Sequence, residues 1–129
     1  KNRWRIATGG AASVTLRYKV YSREMTVRNN WVEAGFAMIN GAPTFLPLVE
    51  RAARPHEVRI ELPSGWKNVQ TALLPVAGSS NAFRAEDFDT IIDSPIIIGN
   101  PLTRDFTVEG KRHVVLFEGD TAPDRLVQA

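Results

Sequence analysis

The sequence predicts a mainly β protein, an antiparallel β-sandwich with one short helix at about residues 85–93. Three observations carry that reading. Apolar and polar residues alternate over several short stretches, turn formers separate those stretches at close intervals, and helical spacing dominates at one place only. Short strands with close turns bury their apolar faces most readily as two sheets around one core.

The strands come in order along the chain. Between Arg3 and Ala7 the alternation of Trp4 and Ile6 predicts a first short strand. SVTLRYKVY places Val14, Leu16, Tyr18 and Val20 on one face, with Thr15, Arg17, Lys19 and Tyr21 on the other. FAMI and TFLPL flank Asn40-Gly41, the strongest hairpin signal present, although Pro43 and Pro47 restrict the second strand to an edge or a bulge. EVRIEL turns Val58, Ile60 and Leu62 inward, and DFTV carries Phe106 and Val108 at the same alternating spacing. HVVLF is apolar throughout and reads as buried on both faces.

Turns punctuate these runs. Gly9-Gly10 and Gly110-Lys111 each join two predicted strands into a hairpin, and Pro63-Ser64-Gly65 ends EVRIEL ahead of Trp66. Asn29-Asn30 opens a loop before Trp31, and AGSSN at 77–81 is a loop within the domain, because apolar patterning resumes at Phe83.

The helix lies in AEDFDTIIDSPIIIG. Phe88, Ile91 and Ile92 stand at i, i+3 and i+4, and Glu86, Asp87 and Asp89 match the positive end of the helix dipole. Pro95 forces Ser94 out of the helical region and ends the helix near Asp93. The β-branched run Ile96-Ile97-Ile98, closed by Gly99, is a buried strand. The Asp93 carboxylate is expected to accept backbone N–H groups at the helix exit.

Composition restricts the function classes. A chain of 129 residues, 43 % hydrophobic and 23 % charged, fits one ordinary globular domain. Net charge is +2, from 16 basic and 14 acidic residues, so no strong field calls for nucleic acid or a membrane surface as partner. Without cysteine there is no disulfide, thiolate nucleophile or cysteine metal site, and either redox compartment is allowed. No apolar run approaches the length of a membrane span, and no signal peptide opens the chain. The start KNRWRIA and the end GDTAPDRLVQA both read as cut, so an excised domain of a larger parent is expected.

No catalytic constellation emerges. His56 and His113 are far apart and outside any zinc-binding helical motif. His113 opens a strand followed by Glu118 and Asp120, which is the ordinary setting of a strand-end histidine, and His56 follows Pro55 in a surface loop. Ser64 and Ser94 sit in turns, without a nucleophile elbow, where serine bonds its own backbone. Glu86, Asp87, Asp89 and Asp93 lack the spacing and central glycine of a calcium loop. The basic residues Lys1, Arg3, Arg5, Arg51, Arg54, Lys111 and Arg112 are scattered, and Trp4, Trp31 and Trp66 are isolated, which fits packing better than base or sugar stacking. Catalytic, cofactor-binding and metal-ligating residues are therefore none in this chain.

Five segments in order resemble the N-terminal region of the glycyl aminopeptidase family of zinc metallopeptidases. These are Tyr18 to Tyr21, Val27-Arg28, Phe36 to Gly41, Pro63 to Trp66, and the run Asp87, Phe88, Asp89, Ile91, Asp93, Ser94 and Pro95. The last resembles the family's Asp-Tyr-Asp-x-Leu-x-Asp-Ser-Pro, with phenylalanine for tyrosine and isoleucine for leucine. The family's early Trp-x-Pro-Gly-Ser-Tyr segment and all its zinc ligands have no counterpart, so no catalytic residue carries over.

The resemblance implies a β-sandwich-like N-terminal domain over 1–119 and the start of a linker to a catalytic domain over 120–129. It implies no cofactor here and zinc in the parent's catalytic domain. The implied partners are that catalytic domain, in the same chain, and the parent's peptide substrate. Self-association through exposed edges is also expected. The competing class is a stand-alone β-sandwich that binds carbohydrate or protein.

Overall fold

The computed structural model describes residues 3–51 and 53–119. Its strands are β1 (Trp31–Val32), β2 (Phe36–Ile39), β3 (His56–Arg59), β4 (Asn68–Thr71), β5 (Leu74–Pro75), β6 (Ala82–Ala85), β7 (Ile96–Gly99), β8 (Leu102–Val108) and β9 (Lys111–Phe117). Two short helices, α1 (Gly41–Thr44) and α2 (Phe88–Ile92), and a 3-10 turn at Val49–Arg51 complete the elements. All strand pairing is antiparallel: a sheet in the order β1-β2-β7-β4, a second in the order β3-β6-β5, and the separate hairpin β8-β9. The mainly β, antiparallel fold is the one its sequence predicts.

The core joins the two larger sheets. Ala37, Ile96 and Ile98 come from the first, Val58 and Ala85 from the second, and Leu73 and Ile91 close the cluster. Ile60 and Leu62 pack against it, as the EVRIEL alternation requires. The triple isoleucine occupies a strand paired on both sides. In β7, Ile96 and Ile98 pair across to Ile39 and Ala37 on one side and to Thr71 and Val69 on the other. A central strand covered on both faces calls for apolar residues at every position, which explains the unbroken run.

Helix α2 is shorter than predicted, and its cap is Asp87. The carboxylate expected to hold backbone N–H groups is thus Asp87, accepting from Thr90 N, and not Asp93. Asp93 is exposed at the C-cap, where its own N–H donates to the carbonyls of Asp89 and Ile91. Only Asp89 among the acids lies in the first turn.

Several predicted strands are not formed. Residues 3–21 are exposed and carry no strand, although Gly9 and Gly10 make the expected turn, closed by Ala11 N to Thr8 O at 3.0 Å. Alternation marks a chain suited to pairing, but a strand exists only where another backbone meets it. Asn40-Gly41 does not turn a hairpin either. Asn40 is the N-cap of α1, and Pro43 is accepted in this first turn because its missing N–H would have no intrahelical partner. Gly41 is required by α2: a Cβ there would stand 2.5 Å from the Ile91 carbonyl oxygen. Residues 45–48 consequently form no strand.

Asn30, buried rather than at the open start of a loop, organises this corner. Its Oδ1 accepts from Asn40 N at 2.7 Å, and its Nδ2 donates to Thr44 Oγ1 at 2.8 Å.

The hairpin predicted at Gly110-Lys111 forms with its turn one residue earlier: Glu109 and Gly110 are both at positive φ, the pattern of a two-residue turn, and Lys111 already pairs with Val108. HVVLF is not buried on both faces: His113 and Val114 are exposed and Val115, Leu116 and Phe117 half-buried. The hairpin joins neither larger sheet, so only its base is covered.

Candidate functional site

The alternation of side chains in β2 and β7 creates an apolar groove as well as the core. Ala37, Ile39, Ile96 and Ile98 share the inner face, so their neighbours Phe36, Met38 and Ile97 share the outer one. Gly99 lets the two strands close together there, at φ 146°, with the Gly35 carbonyl oxygen only 2.9 Å from where its Cβ would be. Over that floor lies Val114–Phe117 of β9, and Met25 and Pro101 complete the lining. The volume of this open groove is about 550 Å³, within the size range of ligand pockets. Among the described residues, Glu118 is the only ionisable one of the lining. The chain's two methionines both line the groove, giving it adaptable walls.

Beside this floor, Trp31 stands opposite Met38 across the strand pair. The Arg23 guanidinium lies 4.9 Å from its ring centroid, while the buried indole Nε1 has no hydrogen-bond partner among the described residues.

The residues examined for chemistry are dispersed. His56 is not in a surface loop; it opens β3, half-buried, with its ring edge-on to Phe88 at 5.9 Å. His113 lies within β9 and stacks on Phe106 at 5.2 Å. Asp120 and Lys1 lie outside the described residues. Ser64 occupies the turn closed by Trp66 N to Pro63 O at 3.1 Å, and Ser94 is buried after α2. Asp87 is held below the ordinary carboxylate value of 3.8, first by the Thr90 hydroxyl, then by the Thr90 N–H, with a smaller contribution from His56. That is the electrostatics of a helix cap. Among the described residues, no three histidine, aspartate or glutamate side chains stand together in a way that holds a metal ion, so they do not fit a zinc site. Among the described residues no helix is long and apolar enough to cross a membrane.

The tryptophans divide. Trp66 packs against the core and donates Nε1 to the Ala34 carbonyl at 3.3 Å, whereas Trp4 is 75 % exposed and does not pack as its sequence setting predicts. The groove itself escaped sequence reasoning. Its signal was apolar residues at every position of FAMI and III, more than one buried face requires.

The described residues form a small antiparallel β domain with an apolar groove. The sequence model of the Peptidase M61 N-terminal domain matches residues 1–100, and the chain belongs to that family. The match ends just before β8, so it includes the groove floor but not the hairpin above it.

Among solved structures, the chain is similar to the crystal structure of an aminopeptidase N family protein from Idiomarina loihiensis, with a TM-score of 0.74 and 24 % identity. That likeness covers 83 % of this chain and 19 % of the other, so the chain spans about a fifth of that protein, and it speaks for the fold alone. No curated protein sequence matches the chain.

Proposed function

We propose that this chain is the non-catalytic N-terminal β domain of a zinc-dependent aminopeptidase of the glycyl aminopeptidase type. In this reading, residues 1–119 are the domain and 120–129 begin the link to the catalytic domain. The domain packs against its catalytic neighbour and helps to shape the cleft that receives the peptide. The observation that carries the reading is the match of residues 1–100 to the Peptidase M61 N-terminal domain. It is supported by the exposed apolar side chains of residues 3–27, among them Trp4, Leu16, Tyr21 and Val27, which suit a surface that a neighbour covers.

The test compares the natural polypeptide containing this chain with a version lacking residues 1–119. The intact protein is expected to contain zinc and release amino-terminal residues from peptides. The shortened one is expected to keep its zinc while kcat/KM falls. An intact polypeptide with no zinc-dependent aminopeptidase activity would refute the proposal, and so would unchanged kinetics on deletion.

A further inference from the structure

The groove meets β9 edge-on. Val114, Val115, Leu116 and Phe117 are consecutive, and consecutive side chains of a strand point to opposite faces. A space lined by all four therefore runs along the strand's edge, where backbone N–H and C=O groups are presented together with side chains. One edge of β9 is taken by β8; among the described residues no strand pairs with the other. The edge thus stands beside an apolar floor made by Phe36, Met38 and Ile97.

Glu118 supplies the charge. It makes no hydrogen bond or ion pair among the described residues, and its Oε1 lies beside Gly35, 4.0 Å from where a Cβ there would be. The other lining residues among those described are all apolar, so among the described residues the groove has one unneutralised negative group at its end.

We propose that this groove binds an extended peptide segment of a protein partner, alternating apolar and small polar residues and carrying one lysine or arginine. The segment adds as a strand to the free edge of β9. Its apolar side chains enter the floor, and its cation pairs with Glu118. Strand addition is a general mode of peptide recognition, in which the backbone provides affinity and alternate side chains provide selectivity. The edge argues for a peptide over a lipid or other amphiphile, which has no backbone to pair.

The 129-residue chain provides its own probes, because Met25 and Met38 are its only methionines and both line the groove. With ¹³C-methyl methionine, NMR titration uses an acetylated, amidated hexapeptide alternating leucine and threonine and ending in lysine. Both methyl signals are expected to shift and to saturate by about 1 mM peptide. Backbone N-methylation of the peptide is expected to abolish the shifts. Replacing its lysine by glutamate, or Glu118→Gln in the protein, is expected to weaken binding about two- to fivefold, and the Gln variant's unchanged peptide-free spectrum verifies its fold. Absence of shifts at 1 mM, equal binding of the N-methylated peptide, or indifference to both charge changes would overturn the proposal. So would methyl shifts on dilution without peptide, which would place a second copy of the chain in the groove.

Discussion

The Asp87 carboxylate accepts two hydrogen bonds from one residue, Thr90: its backbone N–H at 2.8 Å and its hydroxyl at 2.7 Å. This pair starts α2, the helix that delivers β7 to the centre of its sheet. Asp87→Ala should therefore lower the melting temperature, while Asp93→Ala, at an exposed C-cap whose side chain makes no hydrogen bond among the described residues, should leave it nearly unchanged. Thermal unfolding followed by circular dichroism distinguishes the two. The contribution of Asp87 should also depend on pH. Its folded pKa lies below its unfolded one, so the stabilisation is complete above about pH 4 and is lost as pH falls through the folded value. The gap in melting temperature between the native chain and Asp87→Asn should close over that acidic range and remain constant above it.

Gly41 touches α2 more closely than any side chain would allow. An alanine Cβ would stand 2.5 Å from the Ile91 carbonyl oxygen and 2.9 Å from the Ile92 Cα, both backbone atoms with little freedom to retreat. Gly41→Ala is expected to destabilise the domain by about 1–3 kcal/mol through overpacking. Urea unfolding should report it as a lower midpoint with an unchanged slope.

The chain on its own should self-associate. Val14, Leu16, Tyr18 and Val20 keep the alternation of a strand face and are all exposed, in a segment whose backbone has no strand partner among the described residues. Such segments join to one another. In the apolar stretch Phe36 to Leu48 only the later part is exposed, at Leu46 and Leu48, because β2 is paired on both sides. Sedimentation velocity should show species larger than a monomer at high micromolar concentration, and Leu16→Lys should reduce them. A clean monomer throughout would count against this prediction.

Zinc affinity gives a separate check on the proposed non-catalytic role. A catalytic zinc site uses three protein ligands, whereas His56 faces Phe88 and His113 faces Phe106. After dialysis the isolated chain is expected to hold no stoichiometric zinc and to hydrolyse no aminoacyl substrate. Bound zinc that disappears with His113→Ala would reverse that conclusion.

Local chemistry alone determined much of the architecture. The apolar run Ile96–Ile98, the acidic start and proline-bounded end of α2, the inward set Val58, Ile60 and Leu62, and the turn at Gly110 each depend on near neighbours in the chain, so their residues announce them. Residue type could not tell Asp87 from Asp93, because either carboxylate suits a helix end; the position of the first helical N–H groups decided it. Tertiary structure alone decided which alternating segments became strands. Val14 to Val20 has a better alternation than FAMI, yet only FAMI lies between two other strands, and sheet hydrogen bonds are made between segments. Asn40-Gly41 likewise became a helix start because Ile91 occupies the space beside it. The groove belongs to the same class: Met25, Met38, Ile97 and Phe117 are distant in the chain, and packing brings them together.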